Sequence, residues 1–319
     1  MSSANVRGKE PVKGVYFLAS DGIYDLAVAF LNSFRASNPR IPLCLIPFDS
    51  GVERLLKLSN KYQFAVFSDG GVLRRCDHIS RVLYGRTAGH YRKLAAWEGE
   101  FDQFIYIDAD TVVLRDVSPL FDHLEHFDML ASDSPGNRKY VWRDSIEGTG
   151  ALTAEQIAYS VNTGFLISRK GALTLHQAEA RLDSALALSP HMDSMRGEQP
   201  FLNYLIVTSE ARYSSLSIIS KQQNRRDIPV VIWAGARGGE ISGGEIRFPQ
   251  RLEFPPVLLV HWAGMYQMWG VRRQLYHLFC RIFKREERCV RPFMKYRRLW
   301  RHYRNLSPRA IGFESDLTR

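Results

Sequence analysis

Cysteine is scarce in this chain: Cys44, Cys76, Cys280 and Cys289 are the only four in 319 residues. No two are spaced C-x-x-C, which argues against a zinc knuckle, a dithiol redox motif and a disulfide scaffold. Thiols in a reducing, cytoplasmic setting are the expectation. Long apolar runs are missing too. The opening MSSANVRGKEP leads only into the short run 15–19, too brief for the apolar part of a signal peptide. Residues 255–271 hold no acidic or basic side chain apart from His261, but Pro, Gly and Gln interrupt them. That stretch falls short of the ~20 apolar residues a membrane span needs. There is no internal repeat and no recognisable nucleic-acid module, so nucleic acid is not an expected partner. Apolar residues at 45% and charged residues at 24% exclude wholesale disorder. The length suits one large α/β domain or two small ones.

Net charge is absent from most of the chain. Residues 272–304 carry twelve Lys/Arg against Glu286 and Glu287, which accounts for the whole formal charge of +10. A neutral body, 1–271, is therefore expected to precede a basic tail, 272–319. Leu275, Leu278, Phe279, Ile282 and Phe283 recur at helical spacing within that tail, as do Phe293, Tyr296, Trp300 and Tyr303. A basic, aromatic, amphipathic helix suits the headgroup region of an anionic bilayer, at the inner face of a membrane. The alternative is a helix packed on the body with a solvated basic face.

The first 120 residues alternate strand and helix patterns. Strands are expected at 15–19, 42–47, 64–67 and 103–107, and helices at 24–36, 52–60 and 91–98. This alternation argues for a doubly wound, mostly parallel sheet. Further on, 159–168 is strand-like, 172–188 helical, 199–207 a short helix or buried turn, and 256–261 a strand. The Ser/Gly/Asp/Arg-rich segment 134–154 and the segment 235–244, with five glycines in ten residues, are candidate lids.

The sharpest feature is FIYIDADTVVL, 104–114. A hydrophobic strand ends in two carboxylates, Asp108 and Asp110, and the carboxyl ends of strands are where open α/β sheets bind ligands. Residues i and i+2 share a side of an extended chain, so both can face one ion. Such hard oxygen ligands suit Mn²⁺ or Mg²⁺, typically with a phosphate.

Two families own such a strand. D-A-D-T-V is similar to the first motif of haloacid-dehalogenase-type phosphatases, where the first Asp is a nucleophile. Here some hundred residues precede it, and no late acidic pair follows a strand. The broader resemblance is to glycosyltransferases of the GT-A fold, and among them to glycosyltransferase family 8, the glycogenin and lipopolysaccharide galactosyltransferase group. YRKLAAW (91–97), YIDADTVVLRDVSPLF (106–121), SVNTGFLI (160–167), GEQPFLN (197–203) and VHWAGMYQMW (260–269) resemble that family's blocks in order, over residues 14–270.

The resemblance implies a Rossmann-like α/β fold, with a mostly parallel mixed sheet flanked by helices, followed by a basic helical tail. It implies a metal-dependent, retaining transferase moving a hexose from a nucleotide-diphosphate sugar, a UDP-sugar first, to a hydroxyl of a glycan, lipid-linked sugar or small molecule. Asp108, Asp110 and His261 would hold the metal. Alone, a strand histidine reads as a core residue. Ala19, Ser20, Asp21 and Tyr24 would border the nucleoside, and Lys93, Ala109, Thr163, Gly264 and Gln267 the rest of the donor. Asn162, Glu198 and Gln199 would face the reacting sugar. The sequence departs from the pattern at Gln267, which stands in place of a diphosphate-binding Lys, and at Glu198, in place of Asp. A neutral amide does not replace that charge. Arg272 or Arg273 would have to substitute for it, or the donor would bind differently. A non-catalytic nucleotide-sugar-binding protein of the same fold is the reading those departures favour.

Overall fold

A computed structural model describes residues 10–133, 136–193, 197–234, 239–242, 245–248, 254–263 and 290–307. The strands are β1 (Lys13–Ala19), β2 (Leu43–Pro47), β3 (Phe64–Val66), β4 (Gln103–Asp108), β5 (Thr111–Val113), β6 (Met129–Ala131), β7 (Phe165–Arg169), β8 (Tyr213–Ser215), β9 (Val230–Trp233), β10 (Glu240–Ser242), β11 (Glu245–Arg247) and β12 (Val257–His261). The α-helices are α1 (Tyr24–Ser37), α2 (Glu53–Leu56), α3 (Ser59–Tyr62), α4 (Gly70–Tyr84), α5 (Ala154–Ala158), α6 (Leu175–Ala180), α7 (Leu182–Leu188), α8 (Gln199–Val207), α9 (Leu216–Gln222) and α10 (Val290–Asn305).

The main sheet has the order β3-β2-β1-β4-β7-β6-β8. Its β3-β2-β1-β4 half is parallel, while β7 runs antiparallel to both β4 and β6. This is the mixed, mostly parallel sheet expected. Strands buried on both faces read as unbroken apolar runs, and their alternation divides two cores. Val15, Phe17, Ile105 and Ile107 enter the core beside α1, while Tyr16, Leu18, Phe104 and Tyr106 enter the opposite one, with the 91–97 segment and α8.

A second sheet, β5-β12-β9, extends the chain just beyond β4. Its register sets His261 opposite Thr111, and the Trp262 amide donates to the Asp110 carbonyl at 2.9 Å. A strand some 150 residues away in sequence is thereby fixed against the D-x-D turn.

Several elements differ from the sequence expectation. Residues 91–98 form a 3₁₀ run, Gly89–Glu98, rather than an α-helix. The stretch 52–60 is divided between α2 and α3, and 172–188 breaks at Arg181, between α6 and α7. The strand expected from 159 begins only at Phe165, because side chains from α8 hold 161–163 in an irregular path. Helix α4 occupies 70–84, where the sequence reading places no element; Asp69 caps it by accepting from Gly71 and Val72 N–H.

Helix α10 packs on α1 and β5. Tyr296, Leu299, Trp300 and Tyr303 are buried in a third core cluster with Leu26, Ala29 and Val112. Tyr296, Trp300 and Tyr303 are therefore core rather than a membrane-inserting face, and Arg298, Arg301 and His302 point outward. Asn32 of α1 donates to the Tyr303 carbonyl at 2.7 Å and to the Leu306 carbonyl at 3.2 Å, satisfying the end of the helix from within the body. The expected boundary at 271/272 and the segment 272–289 lie outside the described residues.

Candidate metal and donor site

The β4 strand ends on Asp108, and a turn closed by the Thr111 hydroxyl on the Asp108 carbonyl at 2.9 Å presents Asp110. His261, at the end of β12, places Nε2 at 3.1 Å from Asp110 Oδ1 and 3.7 Å from Asp108 Oδ2. One ligand atom from each of the three residues lies within 4.8 Å of the others.

A glycine makes room for this cluster. A Cβ built at Gly164 would overlap His261 Cε1 and lie 2.7 Å from Asp108 Oδ2 and 2.9 Å from Asn162 Oδ1. Gly164 is held against the site, its carbonyl accepting from the Asp108 amide at 2.9 Å. A nitrogen and carboxylate oxygens converging on a space kept free of side chain fit a divalent cation of the Mn²⁺ type.

Behind the cluster lies a buried ionic network. Lys93, 3% exposed, directs Nζ to Glu198 Oε1 at 2.5 Å, to Asp108 Oδ1 at 3.4 Å and to the Thr163 carbonyl at 3.3 Å. The Thr163 hydroxyl donates to Glu198 Oε1 at 2.8 Å. The Tyr106 hydroxyl donates to Asp108 Oδ1 at 2.6 Å. Burial alone would raise the Asp108 pKa, but Lys93, His261 and the Tyr106 hydroxyl outweigh it and hold the carboxyl below its usual range. Burial opposes the charge on Lys93, but Asp108 and Glu198 reverse that and raise its pKa. Burial likewise opposes charge on His261, and Asp110 foremost overcomes it, raising the pKa. Burial and the neighbouring Asp108 charge drive the Tyr106 phenol far up, so it remains a donor.

Lys93, Asp108, Asp110, Asn162, Thr163, Glu198, Gln199 and His261 are thus assembled in one place. Several also bond to protein groups in this arrangement. The three N–H directions of Lys93 are taken by protein groups, so in this arrangement it neutralises Asp108 and Glu198 rather than reaching for a donor oxygen. Gln199 donates from Nε2 to the Tyr140 carbonyl at 3.0 Å and accepts the Thr163 amide at 3.4 Å, joining two segments. The Asn162 oxygen accepts from Gly164 N–H at 2.9 Å, closing a local turn.

Ala19 ends β1 and Ser20 follows it, just past the Leu18↔Asp108 pair of the β1–β4 register. Both carboxylate oxygens of Asp21, however, already hold backbone amides, Arg54 N at 2.9 Å and Leu55 N at 3.0 Å, capping α2. The ring of Tyr24 is covered by the Arg54 guanidinium, 4.0 Å from its centroid. Gly264 and Gln267, with Arg272 and Arg273, lie outside the described residues, as does most of the glycine-rich lid candidate 235–244. The candidate lid 134–154 contributes Tyr140 to the Gln199 latch, and short 3₁₀ turns at Arg138–Tyr140 and Asp144–Thr149.

Three residues escaped sequence reasoning. Tyr106 was findable, lying two residues before Asp108 on the same strand face. Asn203 is fully buried and clamps the 161–163 segment: it accepts from Val161 N–H at 2.8 Å and donates to the carbonyls of Val161 and Gln199 at 3.0 and 2.9 Å. Gly164 carried no signal in sequence beyond its place after Asn162 and Thr163.

Comparison with solved structures supplies the frame. The chain superposes on WbbM, a bifunctional glycosyltransferase, with a TM-score of 0.57 at 14% identity, covering 96% of this chain and 51% of that one. The fold is that of the GT-A glycosyltransferases. Weaker superpositions include GlyE of Streptococcus pneumoniae TIGR4, with a TM-score of 0.46 at 14% identity over 95% of this chain and 62% of that one. The galactosyltransferase LgtC, in complex with donor and acceptor sugar analogues, gives 0.49 at 15% identity over 82% and 94%. This GT-A chain spans about half the length of WbbM. No family profile matches its sequence, and no curated protein matches it either. Among the described residues of the GT-A chain, no helix is long and apolar enough to cross a membrane.

Proposed function

We propose that the chain is a metal-dependent, retaining glycosyltransferase of the family 8 type, transferring a hexose from a UDP-sugar to a hydroxyl acceptor. The observation that carries this reading is the convergence of Asp108, Asp110 and His261 within 4.8 Å at the carboxyl edge of a GT-A sheet. Mn²⁺ held there would neutralise the donor diphosphate and stabilise the departing nucleotide.

The surrounding residues set up that chemistry. Lys93 pairs with the carboxylates of Asp108 and Glu198, so an anionic donor does not meet these two acids uncompensated. Gln199 and Asn203 fix the 161–164 segment, whose glycine leaves the ligands their space. Glu198 and Asn162 face the reacting sugar in this reading, with the Glu198 carboxylate oriented by Lys93 and Thr163. The acceptor is a hydroxyl of a glycan, a lipid-linked sugar or a small molecule. The outward basic side of α10, with Arg298 and Arg301, supports contact with an anionic membrane surface by charge alone, since Tyr296, Trp300 and Tyr303 are buried.

The test is donor hydrolysis: purified protein, Mn²⁺ and a panel of UDP-, GDP- and ADP-sugars, scored for released nucleotide, with Asp110→Ala alongside. Release from one donor, abolished in the variant, is expected. Absence of release from every donor, together with no Mn²⁺-dependent change in melting temperature with any of them, refutes the reading.

A further inference from the structure

We infer that Tyr106 is a positioning residue which, with Lys93, immobilises one carboxylate oxygen of Asp108 and so restricts that ligand to a single metal-facing oxygen. This rests on the metal reading above and goes beyond it by assigning each oxygen of Asp108. Oδ1 receives the Tyr106 hydroxyl at 2.6 Å and the Lys93 ammonium at 3.4 Å. Oδ2 faces the other way, towards His261 Nε2 at 3.7 Å and into the space that Gly164 keeps open. The two oxygens are thus divided between the protein interior and the ion.

The hydroxyl is placed by the strand itself. Tyr106 and Asp108 lie two residues apart on β4 and share a face, so the phenol runs beneath the carboxylate. Tyr106 is 1% exposed and Lys93 3%, so both donors reach Oδ1 from the protein interior. Lys93 also lies over the Tyr106 ring, 5.0 Å from its centroid, which makes the two donors one packed unit.

A clamped Oδ1 has a consequence for cation choice. Calcium readily accepts a bidentate carboxylate and six to eight oxygens, whereas smaller cations want fewer, well-directed ligands. With Oδ1 clamped, Asp108 would offer such an ion a single oxygen, beside the Asp110 carboxylate and His261. Tyr106 therefore contributes to a preference for Mn²⁺ over Ca²⁺ as well as to affinity.

The experiment is a Mn²⁺ titration followed by electron paramagnetic resonance, with Ca²⁺ competition, on wild-type protein, Tyr106→Phe and Asp110→Ala. Loss of a ligand-orienting partner typically lowers metal affinity about 10–100-fold. Tyr106→Phe is expected to bind Mn²⁺ about tenfold more weakly, and to lose part of the Mn²⁺/Ca²⁺ preference, at a melting temperature within a few degrees of wild type. Unchanged Mn²⁺ affinity and an unchanged Mn²⁺/Ca²⁺ ratio in Tyr106→Phe overturn the assignment while leaving the metal site intact. Wild-type protein that takes up no Mn²⁺ overturns the metal reading itself, and the assignment with it. The wild-type competition needs no variant to fold: Ca²⁺ displacing Mn²⁺ at equal concentration also overturns the assignment.

Discussion

Gly164→Ala offers a direct test of the cluster, because the residue lacks a side chain at the point where three others converge. The added Cβ would overlap His261 Cε1 and stand 2.7 Å from Asp108 Oδ2 and 2.9 Å from Asn162 Oδ1. Ordinary carbon contacts need about 3.5 Å, so relief requires movement of roughly 0.5–1 Å, and two of the three neighbours are proposed ligands. Gly164 is not among the positive-φ glycines, so the substitution acts through volume rather than backbone strain. Overpacking of this kind costs about 1–3 kcal/mol. The larger effect falls on metal binding, because ligand distances tolerate only about 0.2 Å. We expect Mn²⁺ affinity, measured calorimetrically, to fall at least ~100-fold, beyond the usual effect of disturbing a ligand's support. Gly148→Ala is the control, since its Cβ would meet nothing within 4 Å. A Gly164→Ala protein that binds Mn²⁺ within threefold of wild type would show that the three residues do not enclose the ion.

Further predictions concern the frame around the site. Arg35 is buried and donates to the carbonyls of Tyr62, Ile41 and Gln63 at 2.8 Å and of Asn38 at 3.1 Å, and burial lowers its pKa to about 10. Arg35→Lys leaves most of those carbonyls unserved and should cost about 2–4 kcal/mol in urea denaturation; a loss under 1 kcal/mol refutes this. Asn203→Ala orphans the buried Val161 amide and should cost about 2–3 kcal/mol, with Mn²⁺ affinity falling in the same protein as 161–164 loosens. The Asp128 carboxyl accepts from Arg212 N, Nε and Nη2 at 2.9, 3.1 and 2.8 Å, and this holds its pKa below the usual range. A depressed carboxyl contributes stability above its unfolded pKa and loses it as pH falls through the folded value. Asp128→Asn should therefore melt lower than wild type at pH 7, the gap closing in strong acid; a gap that persists at pH 2 contradicts the linkage. Burial raises the Cys44 and Cys76 thiols to about 12. In a Cys280→Ser/Cys289→Ser background, neither should react with a thiol reagent at pH 8 until the protein unfolds.

The parallel half of the sheet was legible in the sequence because strands covered on both faces leave unbroken apolar runs, as at 15–19 and 103–107. The candidate metal carboxylates were legible because Asp108 and Asp110 end such a run. Helix α4 was readable in principle, with Asp69 as cap and Val72, Cys76, Ile79 and Leu83 at helical spacing, but many charged residues lie between them. What no local pattern contains is register. The pairing of His261 with Thr111 brings that side chain to Asp108 and Asp110, and only the family resemblance pointed to it. The buried ion pairs of Lys93 were hidden for a related reason: a lysine next to an Asp-rich strand looks unpartnered until the positions of Glu198 and Thr163, about a hundred and about seventy residues further on, are known. The aromatic rhythm of 293–303 was correctly read as helical, yet periodicity does not say whether an apolar stripe meets lipid or α1.

The contact between Asn32 and the Tyr303 carbonyl joins positions 271 residues apart. During synthesis, α1 emerges from the ribosome long before α10 exists. At ~5–20 residues per second the interval is on the order of 15–55 s. Throughout it, Leu26, Ala29 and Val112 lack the aromatic layer that later covers them, and Asn32 lacks its partners. The nascent body is thus left with an open apolar side until α10 has been made, a period in which chaperone capture or mispairing competes with formation of that contact.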